Sequence, residues 1–234
     1  MDVDWVFFDA GHTLIHPEPP VGQVYAAALQ RHGLQRDPGD VERRFNEAWQ
    51  DVREKIEPGR LPYGNSDAEA RSWWRRVVKR SCQLWGASEV LEEVFEDLWE
   101  HFASPGAWSL YEDALPTIEK LRARDIGLGL ISNWDSRLVH VLEGLDLWQL
   151  LEVRIVSFDV GAEKPDPRIF RRALTQADVS AERALHVGNA YEEDVLGALR
   201  AGMQALWLRR DDAEAPAAPV RTIRTLAQIP PMLR

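Results

Sequence analysis

An α/β fold, with a Rossmann-like parallel sheet covered by helices on both faces and an all-α domain inserted into it, is predicted by three features of the sequence. An apolar run, Val3 to Phe8, stops at the carboxylate of Asp9. About eighty residues of helical periodicity follow, and from Tyr111 onward helix and strand patterns alternate. The opening run is short and rich in β-branched and aromatic side chains, which marks a buried strand.

From Val21 to about Phe102 the spacing predicts four helices. In "SEVLEEVFEDLWEHF", Val90, Val94, Leu98 and Phe102 recur every fourth residue beside Leu91, Phe95 and Trp99, with Ser88 placed as an N-cap. "RSWWRRVVKRSCQLW" repeats that spacing through Trp73 and Val77, and through Trp74, Val78, Cys82 and Trp85. Beyond Tyr111 the pattern predicts a helix at 113–124, the strand "IGLGLIS", a helix at 136–144, the strand "VRIVS", a helix at 167–177, the strand "ALHVG", a helix at 192–201 and the strand "QALWL". Such alternation requires crossover connections and therefore a parallel sheet. "DDAEAPAAP" at 211–219 reads as a short loop, and the segment after Pro219 as a helix returning to the core. The first strand belongs with the later ones, so the helical stretch is an insertion. Proline and glycine in "HPEPP" at 16–20 and "SPGAW" at 104–108 mark its edges. The predicted domains are an α/β core of residues 1–15 and 105–234 and a helical cap of residues 16–104.

A chain of 234 residues, 45% hydrophobic and 28% charged, can bury one substantial core and a smaller satellite. Its net charge of -10 argues against a general nucleic-acid partner, which is attracted by clustered Lys and Arg. One cysteine, Cys82, permits no internal disulfide. The N-terminus lacks a basic region followed by a secretory apolar segment, and the apolar runs are too short to span a bilayer. A cytoplasmic protein acting on a small-molecule substrate, without a membrane partner, is the expectation; oligomeric state has no signal here. Lysine occurs only at positions 55, 79, 120 and 164, which makes each one worth examining.

Open parallel sheets bind ligands at the carboxyl ends of their strands. There the sequence places Asp9, then Ser132 and Asn133, then Lys164 in "GAEKPDP", then Gly188, Asn189 and Asp194. Singly, each has an ordinary explanation: a strand-ending acid, a turn or cap, a solvated loop lysine, dipole-favoured acids at a helix start. Together, in this order, "FFDAGHTL", "GLISNWDSRL", "EKPDPRIF" and "HVGNAYEEDVLGALRAGM" resemble the haloacid dehalogenase superfamily of hydrolases, in the subgroup with a helical cap inserted after the first core strand.

That resemblance implies a hydrolase in which Asp9 is the nucleophile, forming a covalent ester that water then hydrolyses. It implies hydroxyl donors to the substrate at Thr13 and Ser132, and an anion cradle of backbone amides after Asp9 and around Asn133. Gly11, His12, Asn133 and Trp134 become candidate substrate-binding positions, and Lys164 a fixed positive charge beside the reacting group. Mg²⁺ would be held at Asp9, Gly11, Asn189 and Asp194. Two positions depart from the pattern. Asn189 stands where an Asp is usual, so weaker metal affinity is expected. Gly11 stands where family phosphatases carry a second Asp that protonates the leaving alcohol, help worth roughly 10²- to 10⁴-fold in rate.

Three readings of Gly11 compete. The leaving group needs little protonation, or His12 or a cap residue supplies the proton; the enzyme is a dehalogenase, whose departing halide takes no proton; or the chain binds ligands or partners and catalyses little. The interval from Asn189 to Asp194 matches phosphatases, and Phe170 stands where dehalogenases generally place tyrosine. The preferred expectation is therefore a Mg-dependent phosphatase on a small phosphorylated metabolite, with 2-haloacid hydrolysis or a binding role as alternatives. His12 as an acid stands against a structural place in a tight turn, and Trp134 lining the cleft against Trp134 packing under the cap hinge. The basic face of the helix at 67–85, with Arg71, Arg75, Arg76, Lys79 and Arg80, is expected to pair with Glu92, Glu93, Glu96 and Asp97 rather than to meet an anion.

Overall fold

The computed structural model describes residues 1–56, 61, 63–210 and 220–234, so the predicted loop at 211–219 lies outside the described residues. In chain order the strands are β1 (Trp5–Phe8), β2 (Ile15–Pro17), β3 (Trp108–Leu110), β4 (Gly127–Ser132), β5 (Val153–Val156), β6 (Ala184–Gly188), β7 (Gln204–Leu208) and β8 (Thr222–Ile223). The helices are α1 (Val21–Arg31), α2 (Pro38–Arg53), α3 (Asp67–Trp85), α4 (Leu91–Ala103), α5 (Ala114–Arg122), α6 (Arg137–Gly144), α7 (Ser157–Val160), α8 (Pro167–Ala177) and α9 (Gly197–Arg200). The chain divides into two compact units, Met1–His16 with Leu110–Trp134 and Leu145–Arg234, and Pro17–Ser109 with Asp135–Gly144.

The first unit is built on a six-stranded sheet of order β5-β4-β1-β6-β7-β8, every neighbouring pair parallel. This is the predicted α/β class. Trp5 and Phe7 stack at 5.6 Å on one face of β1, and the register sets them opposite Gly127 and Gly129 of β4. A Cβ on either glycine would lie 2.5 or 2.4 Å from those rings, so the two glycines of "GLG" make room for the aromatic pair. On that face Phe7, Ile131, Val153 and Ile155 pack with Ile169, Phe170 and Ala173 of α8, sealing the sheet from water.

Two predictions for this unit need correction. The helix expected at 192–201 is a widened π-helical turn, Tyr191–Leu196, followed by the short α9. Asp194 accepts from the Ala190 amide at 2.8 Å, and its side chain is buried within that turn. The C-terminal helix is also absent. Instead β8 joins the sheet edge, and two 3₁₀ turns, Leu226–Gln228 and Pro230–Met232, follow, the second opening on two prolines that lack a backbone donor.

Asp113 organises this C-terminal segment. It accepts from Arg210 Nη1 and Nη2 at 3.1 and 2.9 Å, from the Leu226 amide at 2.8 Å and from the Thr225 hydroxyl. Arg210 Nη2 also donates to the Thr13 carbonyl at 2.8 Å, and its guanidinium lies 3.6 Å from the Tyr111 ring centre. Burial alone would raise the Asp113 carboxyl, but the bonds from Arg210, Thr225 and Leu226 hold it below the usual carboxylate range. Such a group stabilises the fold above its unfolded pKa, and that contribution is lost as the pH falls through the folded value. Asp113→Asn is therefore expected to cost about 1–3 kcal/mol near neutrality. Urea melts at neutral pH and at about pH 3.5 should show the gap between mutant and wild type closing in acid.

The second unit holds α1–α4, as the periodicity predicts. Tyr25, Leu29, Val41, Val78, Cys82, Trp85, Phe95 and Leu98 form its core. Ser66 caps α3 by accepting from the Glu69 amide, and Gly86 ends it in the left-handed region at φ 66°. Ser88 is not the predicted cap: it opens a 3₁₀ turn, and α4 begins only at Leu91 with no side-chain cap. The basic face of α3 pairs within the unit, Arg71 with Glu96, Arg75 with Glu92 and Arg80 with Asp51, while Asp97 takes Arg31 and His32 instead. Burial pushes the Cys82 thiol up to about 12, leaving it an inert core side chain.

Residues 135–144, expected in the core domain, cluster with this helical unit. Asp135 is fully buried, accepts from the Trp74 indole at 3.0 Å and pairs with Arg137 at 2.7 Å. The Arg137 guanidinium in turn lies 3.8 Å from the Trp99 ring centre. Among the described residues no helix is long and apolar enough to cross a membrane.

Candidate active site

Asp9 follows β1 directly, and its amide donates to Val187 of the neighbouring β6 at 3.0 Å. Its Oδ1 accepts from Lys164 Nζ at 2.7 Å and from Ser132 Oγ at 3.1 Å. Lys164 Nζ reaches Asp194 Oδ1 at 2.5 Å as well, so one ammonium lies between two carboxylates. Four segments far apart in sequence thus meet on the carboxyl side of β1, β4, β5 and β6. Their side chains are nearly closed to solvent: those of Lys164 and Asp194 are 2% and 1% exposed, whereas that of Asp9 keeps 13%.

The charges divide unequally. Burial alone would lower Lys164, but Asp194 and Asp9 more than reverse it and hold the amine well above its usual range. Burial alone would raise Asp194, yet Lys164 and His186 keep it well below the ordinary carboxylate value. Asp9 is raised, chiefly by burial and further by the Asp194 charge, which Lys164 offsets only in part. The pair thus shares one cation, with Asp194 the more readily ionised.

Asn133 positions the lysine. Its Nδ2 donates to the Lys164 carbonyl at 2.9 Å and its Oδ1 accepts from the Lys164 amide at 2.7 Å. Thr13 departs from expectation: it is fully buried, and its hydroxyl donates to Asn189 Oδ1 at 3.3 Å rather than facing a substrate. The expected anion cradle after Asp9 is also narrower. The amides of Thr13, Leu14 and Ile15 all turn to the Ala10 carbonyl, and that of His12 donates to Ile15 at 2.7 Å. Those of Ala10 and Gly11 have no acceptor among the described residues. His12 is exposed and sits in the left-handed region at φ 57°, the outer corner of this turn.

This geometry can be set beside known proteins. The family model of haloacid dehalogenase-like hydrolases matches residues 3–202. The chain belongs to that family. It is 36% identical over 202 residues to the mouse (Mus musculus) haloacid dehalogenase-like hydrolase domain-containing protein 3, covering 85% of this chain and 78% of the relative. Two solved structures show the same fold: a HAD phosphatase from Thermococcus onnurineus, with a TM-score of 0.65 and 24% identity over 99% of this chain and 97% of that one, and a 2-haloacid dehalogenase from Pseudomonas syringae pv. Tomato DC3000, with a TM-score of 0.64 and 24% identity over 98% and 97%. A phosphatase and a dehalogenase are equally like it in shape, so this haloacid dehalogenase-like hydrolase must be read from its own side chains.

The metal set implied by the family resemblance is not assembled here. Mg²⁺ requires hard oxygen donors that face one point. In this haloacid dehalogenase-like hydrolase Asp194 Oδ1 is taken by Lys164 and lies 3.1 Å from His186 Nε2, while Oδ2 accepts from Ala190. Asn189 is neutral and its Oδ1 accepts from Thr13. Asp9 Oδ2 and the Gly11 carbonyl remain, and among the described residues no group of three or more His, Cys, Asp or Glu could hold a metal. The four donors at Asp9, Gly11, Asn189 and Asp194 do not fit the ion as a set, because both Asp194 oxygens and the Asn189 oxygen are engaged elsewhere and only Asp9 Oδ2 and the Gly11 carbonyl are left.

His186 was missed in the sequence. It lies buried on β6, its Nε2 against Asp194 and its ring edge-on to Phe170 at 5.4 Å. Burial lowers its pKa, against the opposing pull of the Asp194 carboxylate. Only its place in "ALHVG", an interior strand buried along its whole length, carries a signal for it.

Proposed function

We propose that this chain is a hydrolase that uses Asp9 as its nucleophile on a small phosphorylated metabolite. The observation that carries the reading is the clamp on one carboxylate oxygen: Oδ1 is engaged by Lys164 and Ser132, while Oδ2 has no hydrogen bond from the described residues. Oδ2 attacks phosphorus, the leaving group departs with its bonding pair, and water then attacks the phosphorus of the aspartyl phosphate, releasing phosphate and restoring Asp9. Lys164 and the Ala10 and Gly11 amides stabilise charge on the non-bridging oxygens. No step is routed through a metal.

A second reading, attack at the carbon of a 2-haloacid, is favoured by the neutral Asn189 and by Gly11, since halide departs without a proton. The test is a purified-protein assay of a generic aryl phosphate and a short 2-haloacid, each with Mg²⁺ and with a chelator, beside Asp9→Asn. Phosphate release that persists in chelator and disappears in the mutant is the expected result. Halide release alone selects the second reading, and silence on both substrates removes the enzymatic one.

A further inference from the structure

The β1 and β4 strands are neighbours, and the chain beyond their carboxyl ends brings two pairs of residues together. Ser132, at the end of β4, donates to Asp9, just past β1, at 3.1 Å. Two residues beyond each, Gly11 and Trp134 meet: a Cβ added to Gly11 would stand 3.1 Å from Trp134 Cζ3 and 3.8 Å from Cη2. Gly11 is not among the residues with positive φ, so its backbone does not demand glycine; a side chain there would instead press on the indole edge, which would have to give by a few tenths of an ångström. Trp134 is anchored from its main chain, its amide donating to Ser157 Oγ and its carbonyl accepting from the same hydroxyl, both at 3.1 Å. The edge it turns towards Gly11 belongs to the benzo ring and carries neither an acid nor a base.

From this contact we infer that Trp134 is a specificity-determining wall, which denies the flank of Asp9 an ionisable side chain at position 11 and restricts turnover to substrates whose leaving group is a weak base, such as aryl or acyl phosphates. The inference rests on the proposed hydrolysis through Asp9. As the bond from Asp9 Oδ2 to phosphorus forms, the bond from phosphorus to the leaving oxygen breaks; that oxygen keeps the electron pair and takes its proton from water afterwards. A phenoxide or carboxylate can depart in this way. An alkoxide, far more basic, needs a donor in place as the bond breaks.

The test is the dependence of kcat/KM on the acidity of the leaving phenol across a series of aryl phosphates, with an alkyl phosphate at its end. Wild type is expected to fall steeply, about tenfold per pKa unit of the leaving group, and to leave the alkyl ester intact. Gly11→Asp alone should not flatten the slope, because its side chain meets the indole. The double variant Gly11→Asp with Trp134→Ala, shown to be folded by circular dichroism, should flatten it and gain at least about tenfold on the alkyl ester relative to the aryl one. His12→Ala should keep the wild-type slope; a steeper one would make His12 the donor and overturn the inference. A shallow slope in wild type overturns it too while leaving the hydrolase reading intact, and this holds even if the double variant does not fold. Release from none of the phosphates overturns that reading and the inference with it.

Discussion

Replacing Lys164 by methionine should abolish turnover, by at least about 10³-fold, and lower stability by about 3–5 kcal/mol. The two effects have one cause. The side chain is 2% exposed and its ammonium contacts Asp9 at 2.7 Å and Asp194 at 2.5 Å. Methionine fills the same space but leaves two carboxylates buried side by side with no cation, the arrangement that makes a one-sided deletion of an ion pair so costly. For the chemistry, the loss removes both the clamp on Asp9 Oδ1 and the positive charge beside the substrate. Lys164→Arg should not restore activity, since a planar guanidinium cannot occupy the point between two carboxylates that a tetrahedral ammonium does. Urea denaturation and an aryl phosphate assay on the same preparations check this. A variant as stable as wild type would show that the bridge does not hold the site together.

Asp9→Asn should act in opposite directions on activity and on stability. Activity is expected to fall by at least about 10⁴-fold, because an amide oxygen is too weak a nucleophile to form the ester. Stability near neutrality is expected to rise. Burial, with the Asp194 charge added, holds the Asp9 carboxyl above its ordinary range, so the fold disfavours the ionised form that the reaction needs. A group raised in this way supports the fold fully below its unfolded pKa and loses that support as the pH rises through the folded one. The mutant should therefore gain over wild type above the acid range and lose its advantage in acid. Asparagine keeps an oxygen for Ser132 and Lys164, while Asp194 retains the lysine's charge. Thermal melts of both proteins in chelator, at neutral pH and at about pH 3.5, measure the difference. A lower midpoint for Asp9→Asn at neutral pH would show that its charge supports the fold, against the strained carboxylate argued above.

How the site is assembled explains which of its parts could be read in advance. Asp9, Ser132, Lys164 and Asp194 are legible because each follows a short apolar strand, and parallel strands align their carboxyl ends whatever the intervening sequence. The family resemblance casts Thr13 as substrate-facing and Asn189 as metal-binding, yet they bond to each other. Spacing places a residue in a turn but does not say which way its side chain points. The helix that clusters with the all-helical unit rather than with the sheet shows the same limit. An amphipathic stripe at 137–144 predicts that the helix buries a face, while the partner is selected by Asp135, Trp74 and Trp99 through contacts more than thirty residues apart in sequence.

The sequence by itself determined the α/β class, the parallel sheet, the four helices of the insertion and the positions from which a carboxylate, a hydroxyl and a lysine are presented. Hydrophobic periodicity and strand order are local or nearly local properties, and they survive without knowledge of neighbours. Only the tertiary structure decided that Lys164 bridges Asp9 and Asp194, that His186 backs the second carboxylate, that Asn189 and Asp194 among the expected magnesium donors are otherwise engaged, and that Trp134 stands over Gly11. Those outcomes depend on distances of a few ångström between residues far apart in the chain, where packing and the cost of burying an unpaired charge select one arrangement from many that the same sequence pattern allows.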